Sequence, residues 1–234
     1  MVAAVRGLKS PLLEQAYWSC FRSDSSLMIE DFAYRTLKRT IDLFLALAAL
    51  VVGLPLLVAV AIAVKASSPG PVIYKGVRSG LRGKPFLIYK FRTMQVGSDA
   101  GSGTTSRNDS RVTEVGRFLR KFKLDELPQL FNVVRGEMSL VGPRPELPKY
   151  TERYVGDERQ ILNVLPGITD FSSIEYSDLN ERIADDNPEK EFEEKILPHK
   201  NRLRLKYVQT RSLSVDAMLI VKTISKLIGW KSRN

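Results

Sequence analysis

Two adjacent carboxylates, Asp125 and Glu126, stand in the stretch KFKLDELPQL, residues 121–130, in a chain whose other charges are mostly basic. In the plain reading Asp125 caps a helix, Glu126 is an acid in its first turn and Pro128 is a proline tolerated there. The helix ELPQLFNVVRG then ends near Gly136. In the chemical reading an ionised carboxylate attacks phosphorus, once cations or a metal mask its repulsion from the target phosphate. The two readings are compatible, because a helix N-terminus keeps Asp125 ionised and attracts phosphate. Successive helical residues point roughly 100° apart, so the two carboxyls do not share one proton and take separate roles.

Cations are spaced to serve such a centre. Arg144 sits between Pro143 and Pro145 in GEMSLVGPRPE, a stiff loop suited to fixed bidentate recognition of phosphate. In the strand-like PFLIYKFRTM, alternate side chains share a face, so Lys90 and Arg92 project together, opposite Leu87, Tyr89 and Phe91. Such a pair clamps a diphosphate or lines a solvated strand face. TEVGRFLRKFK reads as a helix capped by Thr113, with an apolar stripe of Val115, Phe118, Leu119 and Phe122. Its basic face of Arg117, Arg120 and Lys121 suits lipid headgroups or substrate phosphates, or is an ordinary solvated surface. Before it, VGSDAGSGTTSRNDS is a loop that carries Asp109 and leads to Arg111.

Composition narrows the chemistry. The 234 residues carry a formal net charge of +10, which points to anionic partners: nucleic acid, nucleotide or a membrane surface. One cysteine, Cys20, excludes an intramolecular disulfide, and one histidine, His199, excludes a multi-histidine metal site. Acid–base and nucleophilic work therefore falls to carboxylates, lysines and tyrosines. A hydrophobic content of 44% is enough for a buried core.

The element that must hold this centre at a surface is IDLFLALAALVVGLPLLVAVAIAV, Ile41 to Val64, apolar on every side with Asp42 as its only charge. At about 1.5 Å per residue it reaches across a hydrocarbon core. Lys38 and Arg39 precede it, and Lys65 and Lys75 follow. Pro55, next to the weakening Gly53, removes a backbone donor near its middle. A kinked single-pass helix and a re-entrant helix both fit; basic residues at both ends and Pro55 favour the re-entrant form. The terminal stretch RSLSVDAMLIVKTISKLIGWKSRN is an amphipathic helix with Leu213, Ala217, Ile220, Val221, Ile224, Leu227 and Ile228 on one face. With Trp230 it suits a membrane interface, or it packs on the core. Met28 is a candidate start, which would make residues 1–27 dispensable; otherwise they form a short arm.

The order of these motifs resembles the bacterial sugar transferase family, specifically its small monotopic polyprenyl-phosphate phosphoglycosyl transferases. The matching pieces are KRTIDL, SPGPVIYKGVRSGLRGKPFLIYKFRTM, NDSRVTEVGRFLRKFKLDELPQLFNVVRGEMSLVGPRPE and LPGIT, spanning residues 37 to 170. The resemblance implies transfer of a phosphosugar from a UDP-sugar to a membrane polyprenyl phosphate, with release of UMP, at the start of cell-surface glycan assembly. It puts the nucleophile, and a covalent phosphosugar intermediate, at Asp125. Glu126 beside it serves Mg²⁺ or proton transfer, and both acids are expected metal ligands. Lys90, Arg120 and Arg144 fall on phosphate-contact positions; Arg92, Arg111 and Gln129, in the same matched motifs, complete the expected substrate-binding set. Lys38, Arg39 and Pro55 are the expected membrane residues.

The implied fold is α/β and mostly helical. Residues 1–36 form an extension, 37–66 a re-entrant membrane helix, and 67–234 a catalytic domain with a short sheet and amphipathic interfacial helices. The implied location is the cytosolic face of a bacterial inner membrane. A homo-oligomer or downstream glycosyltransferases would be the protein partners, and nucleic acid is not expected. The rival from another class is a membrane-tethered basic nucleic-acid binder, which would lose affinity steeply with salt and release no UMP. Two departures stand out. Leu54 occupies a position before Pro55 where the family often has serine, and DFSSIEYSD, residues 170–178, replaces a common GWAQVNGR, so sugar choice does not transfer.

Overall fold

The computed structural model describes residues 11–97, 109–177, 179 and 188–229, with backbone alone for 11–31 and 188. Most of the Gly/Ser/Thr-rich loop, at 98–108, lies outside them, as do residues 1–10, Trp230 and the chain beyond it. The chain divides into two units, Met1–Ile41 and Asp42–Asn234. Helix α1 (Pro11–Ser67) begins in the first and ends in the second, and its part from Phe32 to Ser67 is long and apolar enough to cross a membrane. It runs without interruption through Pro55, so the expected break does not divide it. Lys38 and Arg39 lie on it just ahead of the apolar stretch.

Within the second unit α1 is two-faced. Ala46 and Leu50 pack with Ile88, Leu130, Val133 and Met138, and further along Leu57, Val60 and Val64 pack with Phe91 and Leu119. The other side, with Phe44, Val51, Val52, Leu54 and Ile62, stays exposed. Asp42 is buried: its Oδ2 accepts a hydrogen bond from Ser139 Oγ at 2.6 Å and its Oδ1 one from the Leu140 amide at 3.4 Å. An acid at the edge of an apolar segment is thereby partnered rather than offered to lipid.

Strands β1 (Ile73–Ser79) and β2 (Pro85–Phe91) form an antiparallel hairpin with Ile73 opposite Phe91 and Ser79 opposite Pro85. The turn places Arg82 and Gly83 at φ 57° and 72°. Helix α2 (Glu114–Lys121) starts where Thr113 Oγ1 accepts the Gly116 amide at 2.9 Å, the cap read from sequence. Its expected apolar stripe splits: Leu119 is buried and Val115 packs beside it, whereas Phe118 and Phe122 face outward. A 3₁₀ turn (Leu124–Glu126) leads through Pro128 into α3 (Gln129–Arg135), which ends on Gly136 at φ 81°.

Strand β3 (Ser139–Val141) pairs in parallel with β4 (Gly167–Thr169). A Cβ on Gly167 would lie 2.0 Å from the Gly142 nitrogen, so only glycine permits the crossing that sets the loop of Arg144. Between these strands come α4 (Pro148–Thr151) and a 3₁₀ segment (Gly156–Asn163), and after β4 comes α5 (Phe171–Glu175). Helix α6 (Pro188–Glu191) continues through a π-turn (Phe192–Ile196) into α7 (Leu197–Thr210). Helix α8 (Leu213–Leu227) buries Leu219 against Val141 and Tyr207. Of the two readings its sequence allows, the packed one is seen here, and Leu213, Val221, Ile224 and Leu227 remain exposed. The result is mostly helical with short sheets.

Candidate active site

The local chain path explains the site. Lys123, just past α2, is left-handed at φ 57°, which turns the chain sharply into Leu124–Asp125–Glu126. The amides of Glu126 and Leu127 close the turn on the carbonyls of Lys123 and Leu124 at 3.2 and 3.3 Å. Asp125 therefore does not cap α3. That helix begins after Pro128 with no side-chain cap, and Asp125 Oδ1 is buried without a hydrogen-bond partner among the described residues. The capping expectation fails because the turn carries Asp125 away from the amides it would have capped.

Glu126 is the opposite case. Lys90 Nζ, from β2, donates to its Oε1 at 2.9 Å. Arg144 grips the same carboxylate in a fork, Nη1 to Oε2 at 3.0 Å and Nη2 to Oε1. Arg144 is held in turn: its Nη1 also donates to the Ile168 carbonyl at 3.1 Å, and its amide to Asp170 Oδ2 at 3.2 Å. Burial would raise the Glu126 carboxyl, but Arg144 and then Lys90 overcome it and hold Glu126 well below the usual carboxylate range. Burial pushes Asp125 up, the neighbouring Glu126 adds to this, and Lys90 only partly opposes it. Two adjacent acids are thus driven apart, the arrangement that assigns separate chemical tasks.

The remaining expected residues sort unevenly. Arg120 Nε donates to Thr93 Oγ1 at 2.9 Å, and its guanidinium feels the charges of Asp125 and Asp109. Arg111 forms an ion pair with Asp109 at 2.6 Å, whose hydrogen bonds hold that acid below its ordinary value. Gln129 is wholly buried with both amide atoms unpartnered among the described residues. Arg92 departs from expectation. β2 ends at Phe91, and the Arg92 guanidinium turns to the Pro69 and Ser68 carbonyls at 2.8 and 2.7 Å and to the Val64 carbonyl at 3.4 Å. It closes the C-terminal end of α1 and does not stand beside Lys90, because strand alternation no longer applies past the strand's end.

Sequence spacing does not single out three supporting features. Asn132 binds the Tyr89 amide at 3.0 Å and the Leu87 carbonyl at 2.7 Å, so α3 fixes the strand that carries Lys90. Asp170 caps α5 through the Ser173 amide at 2.6 Å while also holding the Arg144 amide. Glu146 meets Lys200 at 3.3 Å and Arg204 at 2.5 Å, both buried on α7. Burial would raise Glu146, yet Lys200 and Arg204 bring it down to about 2. Of these, only the proline-framed loop holding Glu146 carried a sequence signal.

For a divalent cation the acids are unequal. Both Glu126 oxygens are taken by Arg144 and Lys90, whereas Asp125 has a buried oxygen without a partner among the described residues. No group of three or more metal-ligating side chains occurs among the described residues.

A membrane-length helix bearing an acid–cation centre beside its end is the class of protein that fold and site define. Residues 33–229 match the model of the bacterial sugar transferase family, and the chain belongs to that family. It is 46% identical over 148 residues to the Escherichia coli UDP-glucose:undecaprenyl-phosphate glucose-1-phosphate transferase, covering 60% of this chain and 31% of that protein. It is 35% identical over 211 residues to a Caulobacter vibrioides protein of the same name, covering 82% and 69% respectively. It is also 35% identical over 212 residues to the Aeromonas hydrophila UDP-N-acetylgalactosamine-undecaprenyl-phosphate N-acetylgalactosaminephosphotransferase, covering 86% and 46%. The chain spans less than half the length of the first and third of these.

Proposed function

We propose that this chain transfers a phosphosugar from a UDP-sugar to undecaprenyl phosphate, releasing UMP, through a covalent intermediate on Asp125. The observation that carries the reading is the asymmetry of the acid pair: Glu126 is locked by Arg144 and Lys90, while the Asp125 carboxylate has an uncommitted oxygen. An Asp125 oxygen attacks the sugar-bearing phosphorus, the bond to the bridging oxygen breaks, and UMP departs with that electron pair. An undecaprenyl phosphate oxygen then attacks the same phosphorus and displaces the Asp125 carboxylate, leaving a diphosphate-linked lipid sugar. Lys90, Arg120 and Arg144 offset the phosphate charge as the anionic Asp125 approaches. Mg²⁺ is the proposed cofactor: Asp125 would hold it and it would supply positive charge for the diphosphate, while Glu126, engaged by Lys90 and Arg144, orients those cations. The names of the relatives support donor and acceptor class and differ in the sugar, so the sugar is to be found by a screen.

Attachment is proposed to be monotopic, on the cytosolic face of a bacterial inner membrane. Support comes from α1, which packs on the catalytic domain at both Ala46 and Val64, while its opposite side is bare and apolar. The test of the reaction is a panel of UDP-sugars incubated with undecaprenyl phosphate and assayed for UMP. Mass spectrometry without the lipid acceptor should find a phosphosugar on the chain, and Asp125→Asn should abolish both signals in a folded protein. Normal turnover by Asp125→Asn would sink the mechanism.

A further inference from the structure

Lys123 lies two residues before Asp125, and nothing in its spacing marks it. Its conformation does. Arg82 and Lys123 are the non-glycine residues with positive φ among those described, and Lys123 occupies the position after a helix that glycine or asparagine fills with least strain. Its amide donates to the Arg120 carbonyl at 3.2 Å, which fixes this reversal. Strained backbone of this kind is a recurrent feature of functional sites.

The second observation concerns its ammonium. Lys123 is half-buried, and its ammonium feels the charges of Glu126, Arg144, Asp125 and Lys90. It nevertheless makes no ion pair and no side-chain hydrogen bond to the described residues. The cations expected at the site, and others packed near it, are engaged. Lys90 and Arg144 hold Glu126, Arg111 holds Asp109, Arg92 holds carbonyls, and Lys200 and Arg204 hold Glu146. An anion arriving at Lys123 breaks no internal pair, and three donors are available to it.

We infer that Lys123 is a phosphate-binding residue of this site, its ammonium taking a phosphate oxyanion of the substrate. The assignment rests on the proposed phosphoglycosyl transfer. Both substrates bring the same chemistry, one as a nucleotide diphosphate and the other as a lipid monophosphate. The backbone supplies a discriminating variant: Lys123→Gly relieves the left-handed strain while removing the charge, Lys123→Asn does the same less fully, and Lys123→Arg keeps the charge.

The experiment uses the full chain in nanodiscs, with UDP as calorimetric probe and UMP release as the rate assay. Lys123→Gly is expected to melt higher than the parent and to bind UDP about ten- to hundredfold more weakly, with Lys123→Arg close to the parent. If UDP affinity holds but the KM for undecaprenyl phosphate rises by that factor, the acceptor phosphate is the ligand. Lys123→Gly with both quantities near parental values overturns the assignment, and so does Lys123→Arg as impaired as Lys123→Gly. A parent protein that releases UMP in either of those cases leaves the proposed function standing. A parent that neither binds UDP nor releases UMP removes the function and this assignment together.

Discussion

Asp125 and Glu126 differ by one position and by nearly every neighbour, and that difference is testable by pH. Burial raises the Asp125 carboxyl above its ordinary 3.8, and the proposed attack needs its ionised form. The kcat/KM for UMP release should therefore climb with pH through a midpoint above the ordinary aspartate range and then level off. A profile already flat at that ordinary value would contradict the role given to Asp125. At this scale the sequence was partly legible. The acid pair and the proline-framed Arg144 announce a charged centre by residue type alone. That Asp125 is no cap was not legible, because it depends on the left-handed Lys123 and the unusual turn that follows. Helix-start chemistry and a 3₁₀ turn use the same letters.

Among the elements, the hairpin, the Thr113 cap and the Gly136 stop follow from local rules and were readable. Arg92 was not, since its parity with Lys90 assumed a strand that in fact ends one residue earlier. Its partners lie 23 to 28 residues upstream, beyond the reach of any local pattern. Arg92→Ala should lower stability by about 2–4 kcal/mol through lost charge-assisted bonds to helix-end carbonyls. UDP affinity per folded molecule should stay at the parental level. A thermal melt paired with calorimetry checks this, and a selective loss of UDP affinity would return Arg92 to the substrate set. The phenylalanines of α2 make the same point about tertiary context: the stripe was visible, but which half faces the core depends on where α1 lies.

For the whole molecule, acid stability reports on Glu146, whose partners sit 54 and 58 residues away. Its carboxyl falls from an ordinary 4.5 to about 2 in the folded chain. The folded state then binds fewer protons than the unfolded one between those values, so this contribution is complete above pH 4.5 and lost as pH falls toward 2. It amounts to about 3 kcal/mol. Melting temperatures across that window should fall in the parent, whereas Glu146→Gln should melt lower at neutral pH and show a shallower acid dependence. Attachment is checked by cysteines at Arg35 and Ser67, both expected to label from the cytosolic side; labelling from opposite sides would establish a spanning helix. The link between Asp42 and Ser139 also bears on how the protein is made. Those residues are 97 apart, so at the ordinary pace of translation roughly 5 to 20 s separate the synthesis of the acid from that of its partner. Through that interval the hairpin and α2, which pack on Val60 and Val64, are made ahead of the hydroxyl that Asp42 awaits. The Asp42 end of α1 gains its anchor only when β3 leaves the ribosome, so the helix is seated from its far end first.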